Sequence, residues 1–148
     1  MSGLVIFFGP PENRSDDDEA VSSFIKEDGG KIILGGTTSL IFERRLKDKT
    51  RIDLKTSGCG MHPYGFLGNI IVAEGTLTIK KLNEIFFSEY TANDAVKLLK
   101  NEIMRHDRIK IYHGRAFNPV NGIDKNTVFT EFVKCLRESG KSPEIVNF

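Results

Sequence analysis

Lys31-Ile-Ile-Leu-Gly-Gly-Thr-Thr38 is an apolar run stopped by paired glycines and followed by two hydroxyl side chains. It reads as a strand that ends in a tight turn and hands over to a helix start. The same device recurs at Leu4-Val-Ile-Phe-Phe-Gly-Pro-Pro11, at Asn69-Ile-Ile-Val-Ala-Glu-Gly-Thr76 and at Arg108-Ile-Lys-Ile-Tyr-His-Gly-Arg-Ala-Phe-Asn-Pro119. In a parallel sheet these turns line up along one edge, where open α/β sheets bind their ligands.

The segments between the runs have helical spacing. Residues 3–9 form a strand buried on both faces, ended by Pro10 and Pro11, which cannot donate to a ladder. Ser15 or Asp16 caps a helix whose first turn is acidic (Asp16 to Glu19) and whose apolar face is Ala20, Val21, Phe24 and Ile25. Gly29-Gly30 closes it in this reading. After the strand 31–34, a helix runs from Thr38 to about Lys47 with Leu40, Ile41 and Leu46 inward, then a short strand over Thr50–Leu54. Residues 55–68 hold Gly58, Gly60, Gly65, Gly68 and Pro63 and read as a long irregular loop. A strand over 69–73 leads to a helix carrying Leu77, Leu82, Ile85 and Phe86, and another helix starts at about Ala92. A strand over 108–113, a polar loop over 114–126, a helix carrying Val128 to Leu136 and a terminal edge strand within Ser142–Phe148 complete the chain. The expectation is a single α/β domain over 1–148, three-layered, with a mostly parallel sheet of five or six strands flanked by helices.

Composition narrows the function classes. The chain has 148 residues, 39% hydrophobic and 28% charged, with net charge +1. Such a balance supplies no field that steers toward nucleic acid or a membrane surface, and no apolar stretch is long enough to span a bilayer. No signal peptide is visible, and two cysteines, Cys59 and Cys135, do not make a disulfide framework. The reading is a reduced, cytoplasmic protein.

Three turns carry polar groups suited to a ligand. Gly35-Gly36-Thr37-Thr38-Ser39 exposes backbone N–H groups and hydroxyls at a helix start, the arrangement that holds a phosphate or carboxylate. The same residues also suit a plain tight turn with a threonine cap. Glu74-Gly75-Thr76 places a carboxylate at a strand end, fit to bind a hydroxyl, act as general base or hold a metal, or simply to bond local N–H groups. Gly114-Arg115-Ala-Phe-Asn118-Pro119 offers an arginine for bidentate anion contact and an Asx-type turn. Cys59-Gly-Met-His62 is one Cys/His pair where a structural zinc site needs four ligands. No cofactor or metal is expected. No serine-hydrolase elbow, Walker loop, dinucleotide fingerprint or zinc-protease motif is present.

The ordered set of Gly9-Pro10-Pro11 with its acidic helix, Gly35-Gly36-Thr37-Thr38, Pro63-Tyr64-Gly65, Glu74-Gly75, Asn93-Asp94-Ala95-Val96-Lys97-Leu98-Leu99, Gly114-Arg115-Ala116-Phe117-Asn118-Pro119 and a final helix and strand ending in Phe148 resembles the C-terminal portion of bacterial stage II sporulation protein E-like serine phosphatases. The resemblance covers nearly the whole chain. It departs at Ser39, where the family usually has Ala, at Ala73, where it usually has Thr, and in a shorter loop after Pro119. It implies a phosphatase-associated module, because the aspartates that hold the metals of the type 2C-like phosphatase domain lie outside the region it covers. The implied function is a non-catalytic regulatory or small-anion-sensing domain whose partner is the adjacent phosphatase domain. Gly35, Gly36, Thr37, Thr38, Ser39, Glu74, Gly75, Thr76, Gly114, Arg115 and Asn118 are the candidate ligand contacts. The alternatives are a structural or homodimerisation domain, and a small enzyme on a phosphorylated or carboxylated substrate with Glu74 as general base.

Overall fold

The computed structural model describes residues 3–52, 64–116 and 123–148. Its strands are β1 (Gly3–Phe8), β2 (Gly29–Leu34), β3 (Arg51–Ile52), β4 (Tyr64–Leu67), β5 (Ile70–Ala73), β6 (Ile109–His113) and β7 (Glu144–Asn147). Its helices are α1 (Asp17–Lys26), α2 (Gly36–Leu46), α3 (Thr76–Ile85), α4 (Ala95–Arg105) and α5 (Lys125–Glu138). The fold is the three-layer α/β arrangement read from the sequence. Six strands have four residues or more, and the two-residue β3 makes the seventh member of one sheet, in the order β3-β4-β5-β2-β1-β6-β7.

Strands β5, β2, β1, β6 and β7 are mutually parallel, and β4 runs antiparallel to both β5 and β3. The chain starts in the middle at β1, winds outward through β2 to β5, then returns to β6 on the other side of β1. The order therefore reverses between β1 and β6, the switch point of a doubly wound sheet.

Alternate residues of the central strands feed two cores, as the period of a strand requires. Leu4, Ile6, Phe8, Ile32, Leu34, Ile109 and Ile111 face α3, α4 and α5, which contribute Leu82, Leu99, Ile103 and Phe132. Val5, Phe7, Ile33 and Tyr112 face α1 and α2. On that second face Phe7, Phe24, Phe42 and Tyr112 pack edge to face or stacked, with centroids 5.2–5.6 Å apart.

Several local expectations are corrected. Gly29-Gly30 does not close α1, which ends at Lys26. The pair opens β2, and Gly29, at φ +106°, lies so close to the Gly3 carbonyl that a Cβ there would overlap it. Helix α2 begins at Gly36, two residues before Thr38, and its buried residues are Thr38, Ser39, Ile41 and Phe42, while Leu40 and Leu46 face outward. Asp16 stands at the start of α1 without a side-chain capping bond, after a 3-10 turn at Arg14–Asp16. Within the stretch expected to be loop, Tyr64–Leu67 is a strand that turns through Gly68-Asn69 into β5. Helix α4 begins at Ala95, because the buried Asp94 carboxylate accepts the N–H groups of Val96 and Lys97. The third strand begins at Arg51 rather than Thr50, and the expected continuation over 53–54 lies outside the described residues.

Candidate functional site

The parallel register aligns the strand ends. Ala73 pairs with Leu34, Leu34 with Phe8, Phe8 with His113 and His113 with Asn147. The ladder continues into the turns. Gly35 N–H donates to the Ala73 carbonyl at 2.9 Å, Gly9 N–H to Leu34 at 3.2 Å, Gly114 N–H to Phe8 at 3.0 Å and Phe148 N–H to His113 at 3.0 Å. The turns singled out in the sequence therefore share one edge of the sheet.

A cavity of about 210 Å³ opens there. Its walls are Phe8, Gly9 and Pro10 from the end of β1, Leu34 to Thr38 from the turn into α2, Glu74 to Thr76 from the turn into α3, and Lys125 at the start of α5. Helices α2 and α3 both begin at this cavity, and neither Gly35 nor Gly75 supplies a side-chain cap. The N–H groups of Gly36, Thr37 and Thr38 lie in the first turn of α2, where no intrahelical acceptor exists. The Thr38 side chain is buried, and its hydroxyl has no hydrogen-bond partner among the described residues. Gly36 is open on its Cβ side, with nothing within 4 Å.

Lys125 is one of the two charged residues that line the cavity, Glu74 being the other. The lysine is 9% exposed, its ammonium donates to the Gly114 carbonyl, and it sits 5.6 Å from the Phe8 ring centroid. Among the described residues no carboxylate pairs with it. Burial pushes its pKa down to about 8. Gly9 makes room for it: at φ +83° this residue lacks the side chain that would overlap Lys125 Nζ. The Gly9-Pro10-Pro11 turn, read from the sequence as only a strand stop, thus shapes the cavity.

Glu74 bonds local donors and borders the cavity. Its Oε2 accepts Thr78 N–H at 3.1 Å and the Thr78 hydroxyl at 3.4 Å, which fixes the start of α3, and the residue also lines the cavity. Gly75 and Gly35 pack backbone to backbone; a Cβ on Gly75 would lie 3.2 Å from Gly35 Cα. Ser39 donates to the Gly36 carbonyl at 2.9 Å and faces a second cavity beside α2. Gly114 supplies the carbonyl that Lys125 bonds and is pressed against Gly9 and Pro10 too closely for any side chain. Arg115 is not in the cavity wall: its guanidinium lies 3.8 Å from Glu12, half exposed. Asn118, Cys59 and His62 lie outside the described residues.

Lys125 is the residue sequence reasoning missed. The sequence pattern reads 114–126 as loop, whereas α5 begins at Lys125. A lysine at the first position of a helix sits against the positive end of the helix dipole, where acids are favoured. Such a misplaced cation calls for a counter-charge.

The fold and the site define a doubly wound α/β domain with a crevice, lined by one lysine and one glutamate, at the carboxyl ends of its strands. The chain matches no family model, no curated protein and no solved structure. Among the described residues no helix is long and apolar enough to cross a membrane.

Proposed function

We propose that this domain is a non-catalytic sensor of a small anion, bound in the crevice between the first turn of α2 and Lys125. The observation that carries the reading is the buried Lys125 ammonium with no counter-ion among the described residues. A buried unpaired charge is costly, and an anion beside it recovers that cost. The uncapped N–H groups of Gly36, Thr37 and Thr38 and the unpartnered Thr38 hydroxyl supply the directional bonds. The backbone approach explains Gly36, whose missing side chain leaves the opening clear.

The resemblance to stage II sporulation protein E-like phosphatases supplies a use for such a sensor, with occupancy relayed to an adjacent phosphatase domain. An upstream reading frame encoding that domain supports this placement, and its absence counts against it.

Thermal melting in the presence of inorganic phosphate, sulfate and citrate tests the sensor. A ligand bound only by the folded form raises the melting temperature by mass action. A rise with at least one of these anions, lost in Lys125→Met and Gly36→Val, supports the reading. No rise with any of them, or an equal rise in both variants, overturns it and favours the structural or dimerisation role.

A further inference from the structure

The anion crevice is not a closed end. A second cavity of about 360 Å³ lies beside it, and the two share Gly36 and Glu74 as common wall. The second cavity continues past Ser39 to Glu43 and Thr50, with Tyr64, Gly65, Val72 and Ala73 forming its apolar side. Inorganic phosphate has no use for this space, whose volume falls in the range of organic-ligand sites.

The polarity of the pair is ordered. At one end stand donors: the first-turn N–H groups of α2, the buried hydroxyl of Thr38, unpartnered among the described residues, and the Lys125 ammonium. The Glu43 carboxylate stands at the other end, and that of Glu74 lies between, in the wall common to both cavities. The Thr50 hydrogen bonds hold the Glu43 carboxyl below the usual range, so it is ionised at neutral pH and offers acceptors alone. Thr50 N–H occupies Glu43 Oε2 at 2.8 Å. A second anionic group placed here meets two carboxylates and is repelled; hydroxyl or amino groups are accepted. Tyr64, edge to face with Phe66 at 5.9 Å, adds an aromatic residue to this lining, a surface suited to a flat body.

Building on the sensor reading above, we infer that the ligand is a phosphate monoester with a flat, donor-bearing organic body, of the nucleoside monophosphate class. The phosphate sits between α2 and Lys125, and the body lies over Gly36 into the second cavity.

Isothermal titration with inorganic phosphate, ribose 5-phosphate, adenosine 5′-monophosphate and adenosine 5′-diphosphate tests this on the intact chain. In the wild type, adenosine 5′-monophosphate binds about tenfold or more tighter than inorganic phosphate, a gain of about 1.4 kcal/mol. Ribose 5-phosphate falls between them, and the diphosphate binds more weakly than the monophosphate. Thr50→Trp fills the second cavity from its rim, and Glu43→Gln keeps its shape while removing the charge. Each lowers the advantage of the monophosphate over phosphate by threefold or more and leaves inorganic phosphate binding unchanged. Equal wild-type affinities for phosphate and adenosine 5′-monophosphate overturn the inference and leave the anion site standing. A monophosphate advantage that survives both variants also overturns it. Binding of none of the four overturns the sensor reading itself.

Discussion

Gly9 and Lys125 compete for one volume: a Cβ on Gly9 would overlap Lys125 Nζ, and Gly9 holds φ +83° in the left-handed region. The glycine is therefore required twice, by its backbone and by its neighbour. Gly9→Ala is expected to cost about 2–3 kcal/mol, part from the strained φ and part from displacing the lysine. Chemical denaturation of Gly9→Ala, Lys125→Ala and the double variant measures the two parts. The double variant should be more stable, by at least about 1 kcal/mol, than the sum of the two single-variant changes implies, because the clash is gone. Strict additivity would show that the two residues do not share the space.

Lys125 opposes stability where it serves binding. Burial lowers its pKa from 10.5 to about 8, so the folded state resists the proton that the unfolded chain holds. Between pH 8 and 10.5 the unfolded state binds more protons, and stability rises with pH through that window. Lys125→Met should remove this rise and increase stability at pH 7 by about 1 kcal/mol. Phosphate binding runs the other way: wild-type affinity falls as pH rises past about 8, and Lys125→Met binds weakly at every pH. Melting curves and titrations across pH 6 to about 10 separate the two trends.

What the sequence disclosed and what it hid follow from the range of the forces involved. Apolar runs stopped by Gly or Pro are local signals, so β1, β2, β5 and β6 were legible, and with them the shared edge. Tyr64–Leu67 was not, because Gly65 and the neighbouring glycines mask a strand that exists by pairing with β5. In α2 the inward stripe is Thr38, Ile41 and Phe42. Its first turn abuts a polar cavity rather than the core, so hydroxyls are buried there and Leu40 is left outside. Gly35 to Thr38 and Glu74, which line the cavity, were legible because each segment is contiguous in the sequence. Lys125 was not, because its place opposite Gly9 depends on a crossover that brings α5 back to the end of β1.

His113 carries an acid-sensitive step. Its ring stacks flat on Phe129 with centroids 3.8 Å apart, Nδ1 meets the Asn147 Oδ1 at 3.1 Å, and the buried Nε2 has no partner among the described residues. Nδ1–H therefore donates to Asn147, and a second proton on Nε2 would be buried unpaired. Burial moves the pKa below 6.5, so the unfolded chain takes up the proton first and stability falls as pH drops below about 6.5. His113→Phe keeps the stack and should flatten the stability profile between about pH 6.5 and 5, before carboxylates titrate. A profile as steep as the wild type would assign the step to another group.

Asp94 ties the start of α4 to Tyr90. Its Oδ1 accepts Val96 N–H at 3.0 Å and Lys97 N–H at 3.2 Å, and its Oδ2 accepts the Tyr90 hydroxyl at 2.7 Å. The residue is 1% exposed, so no water replaces these bonds if they are lost. Asp94→Ala removes a helix cap and leaves a half-buried phenol unpaired, an expected loss of about 2–3 kcal/mol. Asp94→Asn retains acceptors for the cap and should lose less. Tyr90 reports the same geometry from the other side. Burial and then the Asp94 bond push its pKa up to about 12. Ultraviolet titration of tyrosinate should show that ionisation at lower pH in Asp94→Asn, where the repelling charge is gone. An unchanged titration together with the stability loss would mean that the cap alone, and not the Tyr90 bond, holds this corner.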